Sequence, residues 1–591
     1  MTHTVEDPTL LAILANRLEA IGREMTNTML RTARSAVIGT ARDFSCSIVT
    51  GDDRLLASSA GLPVHIFGSH LQSAAMRELH PDLRDGDAYL HNDPYLGNTH
   101  HADHTILVPV FVDGEHLFTA VAKAHQADIG NSQPTTYMPF ARDVYEEGAI
   151  SFPCVRIQRD RTDIAEIIRM ARRRIRVPGV WYGDYLAALG AARIGERRLQ
   201  ELVERYGADT IRQFVESWFD YSERRMREGL RAIPSGRYVG RATHDPVPGV
   251  EEGVPVTVIA DVDAEHGHVV IDLRDNPDCV PAGLNQSEAT ATNSVVTGLF
   301  NVLDSDIPHN AGSFRCIEVL LRENCVVGIP LHPTSCSMAT TNVADRLVNA
   351  TQAAFADVGG RGLAHGGAAM GAEFGVISGT DPRRGDGPYV NQIVLGNNGG
   401  GAAADTDGWL TLALPVTGGV LNRDSVEVIE EKYPVLVESL RLITDGGGAG
   451  RRRGAPPAEV VYGPRESPMF VAFAGDGAHN PAKGVCGARD GLAATAQVLG
   501  RTAEPIDIPT IGVEQLVPGE RLRANAAGGG GYGDPLDREP ELVRTDVLEG
   551  WVSSTAAHDV YGVVLTGGID DETLAVDRPA TTELRRRRRP S

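Results

Sequence analysis

Two runs with strand character that meet at Asp113-Gly114 constrain this chain more than any other stretch. Thr105 to Val112 and Glu115 to His125 flank that pair, and Asp-Gly between two such runs is a strong local signal for an antiparallel hairpin. Folding back at this turn returns His125 beside residues 101 to 103. A two-residue loop sets His125 opposite Ala102 and points Asp103 to the other face. A three-residue loop or a bulge sets it opposite His101, with Asp103 on its own face. Pro109 lies inside the first run, which argues that the ladder is irregular.

What the hairpin would bring together is a set of metal donors. His100, Asp103 and His125 supply two imidazoles and a carboxylate, the usual set for a site that keeps coordination positions open to water or substrate. Histidines concentrate between His91 and His125, so His101 and His104 stand as alternative ligands that spacing alone does not exclude. Asp43 and His65 are weaker candidates, and Asp43 closes the first helical region before a strand, where capping or turn roles explain it. Asn92-Asp93-Pro94 reads as an Asx turn, and Asp93 or Asp128 could instead orient a ligand histidine through a hydrogen bond.

The chain's 591 residues exceed what one core organises, so several domains are expected. The pattern predicts a multidomain α+β protein. Residues 1–235 form an N-terminal domain that carries the hairpin and a helical region. Residues 236–425 form a central, glycine-rich α/β domain, residues 426–570 a mainly β region, and residues 571–591 a disordered basic tail. Asp7-Pro8 opens a helix whose apolar face is Leu11, Leu14, Leu18, Ile21 and Met25. Glycine clusters such as GNNGGG from Gly396 either cradle a ligand with backbone N–H groups or build tight turns. No phosphate-loop pattern surrounds them, which favours the second reading.

Seven scattered cysteines without a Cys-x-x-Cys pair suit a reducing compartment, and no apolar run is long enough to span a membrane. A net charge of −22 makes nucleic acid an improbable partner. The expectation is a cytoplasmic protein without nucleic-acid or membrane partners.

Several separate motifs then agree with one family. NDPYLG-x-TH-x-x-D from Asn92 to Asp103, AHQADIG from Ala124, ARDFSCSIV from Ala41, DIPHNAGSFRCIEV from Asp306, YPVLVESLRLITDGGGAGRRRG from Tyr433 and GGGGYGDP from Gly528 resemble the hydantoinase B/oxoprolinase family, collinearly over residues 8–565. That family includes the large subunits of acetone and acetophenone carboxylases. The resemblance implies a divalent metal, manganese in type with zinc or iron as alternatives, held by His100, Asp103 and His125. It makes Asp43 a candidate fourth ligand or proton carrier, and His65 a second candidate to move the proton. His101 departs from the apolar residue common at that position in the family.

The resemblance further implies a separate ATP-binding A-type subunit, joined with this chain in a heterotetramer. That subunit would phosphorylate a cyclic amide's oxygen. Water activated by the metal would then open the hydantoin, oxoproline or lactam ring on this chain. Two other functions remain in play: the large subunit of an ATP-dependent ketone carboxylase that uses bicarbonate, and a non-catalytic scaffold for the A-type subunit.

Overall fold

The computed structural model describes residues 7–589 apart from residues 60, 359 and 571. The protein has the α+β architecture expected, with four substantial sheets. The helix Pro8–Thr32 begins where the sequence places it, with Pro8 in the first turn and the Asp7 side chain accepting a hydrogen bond from Thr9 N at 2.8 Å. Leu14, Leu18, Ile21 and Met25 are buried along one face, as their spacing predicts.

Seven antiparallel strands follow: β1 (Phe44–Thr50), β2 (Leu55–Ser58), β3 (Ala88–His91), β4 (Asp103–Val112), β5 (Glu115–His125), β6 (Val155–Arg159) and β7 (Thr162–Asp163). Their order is β2-β1-β5-β4-β3-β6-β7, which puts the β4–β5 hairpin at the centre. Side chains alternate across the sheet. Ala120, Ala122 and Ala124 form a small-residue face beneath the helix Pro178–Tyr206. There a Cβ at Gly195 would fall 2.7 Å from Met25 Sδ and 3.0 Å from Ala120 Cβ, so the absent side chain lets the helix sit close. The opposite face carries Asp103, Thr105, Thr119, Lys123 and His125. The helices Pro63–Ile66 and Ser69–Leu79 cover it through polar contacts, including Ser47 Oγ to Ser69 Oγ at 2.9 Å and Ser73 Oγ to Thr119 Oγ1 at 3.0 Å.

The hairpin turns at Asp113 and Gly114, both at positive φ as a type I′ turn requires. Val112 faces Glu115 and Phe111 faces His116, but Val110 then faces Phe118. Leu117 is therefore an extra residue, and its carbonyl oxygen accepts a hydrogen bond from Gly51 N at 2.7 Å. This bulge shifts the register so that His125 lies directly opposite Asp103. The sequence anticipates an irregularity but pairs His125 with His101. The extra residue lies on the second strand, so the register moves in the other direction.

The next sheet, order β11-β10-β9-β8, comprises β8 (Gly236–His244), β9 (Val254–Asp263), β10 (His268–Asp272) and β11 (Ile317–Leu320). The helix Val343–Ala354 packs on it and on the helix Glu288–Phe300. Two further sheets interleave in sequence. Their strands are β12 (Val376–Asp381), β13 (Gly387–Gln392), β14 (Val435–Leu442), β15 (Ala458–Pro464), β16 (Met469–Ala474), β17 (Thr495–Leu499), β18 (Ile506–Ile508), β19 (Ile511–Leu516) and β20 (Arg521–Asn525). One sheet has order β13-β12-β16-β19 and the other β14-β15-β20-β17-β18. The first pairs strands from both sides of residue 425, and Ile377, Tyr462, Val471 and Leu522 share one core. The segments 236–425 and 426–570 are thus joined by common pairing and common packing.

The glycine clusters meet one another in space. A Cβ on Gly529 would lie 1.9 Å from Gly400 O, and one on Gly454 would lie 2.0 Å from Gly529 O. Their amides are consumed locally. Gly448 N donates to Gly529 O at 2.8 Å, Gly529 N to Ala455 O at 3.0 Å and Ala455 N to Gly400 O at 2.9 Å. Of the two sequence readings, backbone packing accounts for these glycines, because their N–H groups are already taken.

The C-terminal segment departs from the disordered tail expected for 571–591. Arg578–Arg588 form a helix, with the Asp577 side chain accepting from Ala580 N at 2.9 Å. Arg585 Nε donates to Tyr561 O at 3.0 Å, and Glu583 pairs with Arg586 and Arg587. A capped start, i to i+3 and i+4 ion pairs and arginines at the C-terminal end all favour this helix. Among the described residues, no helix is long and apolar enough to cross a membrane.

Candidate metal centre

The loop before β4 is built around two asparagines. Asn92 Nδ2 donates to His101 O at 2.8 Å and to Ile150 O at 2.9 Å, while its Oδ1 accepts from Phe152 N at 2.6 Å. Asn98 Nδ2 donates to His100 O at 2.7 Å and to Asp103 O at 2.9 Å. Asp93 makes the Asx turn read from the sequence, accepting from Tyr95 N at 2.9 Å. These bonds satisfy a buried backbone and fix where His100 leaves it.

Asp103 Oδ1 lies 3.0 Å from His100 Nε2 and 3.2 Å from His125 Nδ1. One donor atom from each of the three residues falls within 4.8 Å of the others, and all three side chains are buried. The other ring nitrogens have partners that settle the geometry. His100 Nδ1 is 2.8 Å from Ser337 O, a carbonyl that can only accept, so Nδ1 carries a proton and Nε2 is the ring atom turned to Asp103. His125 Nε2 is 3.1 Å from Thr136 Oγ1, leaving Nδ1 toward Asp103. Thr99 Oγ1 donates to Asp103 Oδ2. Two imidazole nitrogens and a carboxylate oxygen, each oriented by an outer partner, fit a divalent ion with open positions.

Burial alone would raise the Asp103 carboxyl, but the imidazoles of His100 and His65 hold it well below the ordinary range. Burial opposes protonation of His100, and the Asp103 carboxylate more than reverses that effect. Asp43 is pushed up by burial, in part offset by His125 and His65.

Asp43 and His65 belong to the same centre. His65 Nε2 lies 3.2 Å from Asp103 Oδ2 and 3.6 Å from Asp43 Oδ1, between the two carboxylates. Asp43 O also accepts from His125 N at 3.0 Å, tying the start of β1 to the end of β5. The alternative histidines turn elsewhere. His101 Nδ1 is 3.2 Å from Glu147 Oε1, and Glu147 Oε2 accepts from Ser335 Oγ at 3.0 Å. His104 Nδ1 accepts from Trp181 Nε1 at 3.2 Å on the other face of the sheet, and burial lowers its pKa to about 3. Asp128 serves the loop, accepting from Gly130 N and from Arg176, rather than a ligand histidine.

Besides Thr99, sequence reasoning missed four residues at this centre. Thr136 and Tyr137 follow the hairpin in a loop with no recognisable motif. Ser337 and Thr340 come from more than 230 residues away, with Thr340 Oγ1 3.4 Å from His100 Nε2. A lone Thr or a backbone carbonyl carries no sequence signal for such a role.

The sequence matches a family described as Hydantoinase B/oxoprolinase over residues 7–535. The beta chain of the caprolactamase of Pseudomonas jessenii is 32% identical over 585 residues, covering 97% of this chain and 99% of that protein. The B-type chain of a putative D-/L-hydantoinase of Pseudomonas sp. (strain NS671) is 27% identical, covering 98% of each. The crystal structure of the ATP-dependent caprolactamase from Pseudomonas jessenii superposes with a TM-score of 0.88 at 29% identity, covering 99% of this chain and 100% of that one. A nucleotide-free acetone carboxylase structure shares the fold, with a TM-score of 0.83 at 19% identity over 98% of this chain and 83% of that one.

Proposed function

Because the chain belongs to the hydantoinase B/oxoprolinase family, we propose that it is the metal-bearing B-type subunit of an ATP-dependent cyclic-amide hydrolase. It works with an ATP-binding A-type subunit, as a cytoplasmic heterotetramer. The observation that carries this reading is the convergence of His100, Asp103 and His125 on one buried point. Relatives named as lactamase and hydantoinase subunits along nearly their whole length support the substrate class.

A lactam or hydantoin carbonyl resists water because amide resonance makes its carbon a poor electrophile. Phosphorylation of the oxygen by the partner removes that resonance and creates a leaving group. His100 Nε2, Asp103 Oδ1 and His125 Nδ1 would hold the ion, manganese in our reading. When bound, the ion polarises an oxygen and eases the deprotonation of water. Asp43 or His65, whose Nε2 lies between Asp103 and Asp43, takes the proton released as water adds to the carbon. The surrounding burial keeps bulk water from an activated acyl group before the ring opens.

The test combines metal analysis of the purified protein with assays of the two subunits, separate and mixed, against a panel of lactams and hydantoins. Ring opening coupled to ATP hydrolysis, only in the mixture and only with metal, is expected. A bicarbonate requirement, with its label in the product, would replace the hydrolase by a ketone carboxylase. Full activity without metal in this chain would leave it a scaffold.

A further inference from the structure

Tyr137 has no part in the chemistry above, yet its ring packs beside one of the groups that do. The residue is 4% exposed, and its ring lies 5.9 Å from the His125 ring and 5.9 Å from Phe374. Its backbone is firmly held. Tyr137 N donates to Thr135 Oγ1 at 3.0 Å, and Asn131 Nδ2 to Thr135 O at 2.8 Å. The next residue, Met138, donates from its backbone N to Ser337 Oγ at 3.0 Å, and Ser337 is the residue whose carbonyl orients His100. The ring thus meets one imidazole of the centre, and the adjoining backbone is tied to the residue that orients the other.

The phenol itself is bound to nothing. Among the described residues, the bonds of Tyr137 are made by its backbone and its ring, and none by its hydroxyl. A Tyr O–H ordinarily finds an acceptor, and this one leaves that place to a ligand. Burial first, then the nearby Asp43 and Asp103 carboxyls, hold its pKa well above the usual phenol range. The group offers a proton donor on a ring packed beside His125.

We propose that Tyr137 is a substrate-contacting residue whose phenol O–H donates a hydrogen bond to the carbonyl-derived oxygen of the molecule held at the His100–Asp103–His125 centre. The proposal rests on the metal-centre reading and not on the ring being a cyclic amide. No covalent bond forms or breaks at Tyr137, because the proton stays on the phenol. The hydrogen bond strengthens as negative charge gathers on the acceptor oxygen, which makes it worth more during the reaction than in the bound substrate.

Tyr137→Phe keeps the ring contacts and removes only the hydroxyl. Manganese content and thermal midpoint should match wild type. Acetohydroxamate, a small carbonyl ligand of metal centres, is then titrated into both proteins loaded with Mn(II). Its affinity should fall about tenfold in the variant, as loss of one hydrogen bond to a ligand predicts. With the partner subunit and any cyclic amide that wild type opens, kcat should fall about 100-fold with little change in KM. Equal acetohydroxamate affinity in the two proteins, no binding to metal-loaded wild type, or loss of manganese from the variant overturns the proposal. Weakened binding in the variant, together with a wild type that opens no cyclic amide, overturns the proposed reaction and leaves Tyr137 in its role.

Discussion

The histidine-rich strands β4 and β5 and the glycine-rich stretches around Gly400, Gly448 and Gly529 stand out equally in the sequence as places where a ligand could bind. They differ in what their polar atoms meet. In the first, outer partners occupy one nitrogen of each ligand imidazole and leave the other facing Asp103. In the second, neighbouring backbone takes up the N–H groups, and bare Cα atoms let the chains touch. Residue type announces the capacity to bind. Whether the capacity is kept for a ligand or used up internally depends on what the fold lays against it.

The sharpest break of this comparison is His125→Ala. It should abolish stoichiometric metal, measured by elemental analysis, and lower turnover by more than the roughly 100-fold seen for losing an outer partner. A metal-replete, active variant would move the centre elsewhere. The counterpart in the glycine region is Gly529→Ala, whose new Cβ would sit 1.9 Å from Gly400 O. With backbone on both sides there is nothing soft to yield, so a loss of about 4 kcal/mol or more in denaturant unfolding is expected. A loss under about 1 kcal/mol would mean these chains can separate, and the cradle reading would return.

A third experiment probes a carboxyl buried at the edge of the glycine packing. Burial raises Glu373 to about 7 from an ordinary 4.5. Because the folded state holds this proton more tightly than the unfolded chain, its stabilising effect is complete below about pH 4.5 and is lost as pH rises through about 7. Between pH 5 and 8, wild type should lose about 2–3 kcal/mol relative to Glu373→Gln. Parallel pH profiles would show that the carboxyl is ionised throughout.

The smallest effect is expected for Thr136→Val, which removes the hydroxyl 3.1 Å from His125 Nε2 without changing the side chain's shape. Metal affinity should weaken about 10–100-fold and fold stability little, with Thr136→Ser restoring the affinity. Unchanged affinity would show that packing against Tyr137 alone orients the ring.

Much of this was readable in advance where the signal is local. The cap at Asp7, the apolar stripe of the first helix and the turn at Asp113-Gly114 depend on residues a few positions apart, and they fold as their spacing predicts. Asp43 and His65 are different. Asp43 has an ordinary local explanation and His65 stands alone in the sequence, and only the closing of β1 on β5 and the helix Pro63–Ile66 over the sheet brings them to Asp103. The basic C-terminal run misleads because its composition resembles a solvated tail, while Asp577, Glu583 and the carbonyl of Tyr561 give the arginines partners.

By itself the sequence determined the donor types, the hairpin that returns one histidine to the others and, through several collinear motifs, the family. It could not determine which imidazoles point inward, since strand side chains alternate and one added residue reverses the answer. The tertiary structure decided that by placing Leu117 as the extra residue, turning His101 to Glu147 and His104 to Trp181, and bringing Ser337 from the central region to set the His100 tautomer. Each of these choices is made by a partner distant in sequence, and partners of that kind exist only once the chain has packed.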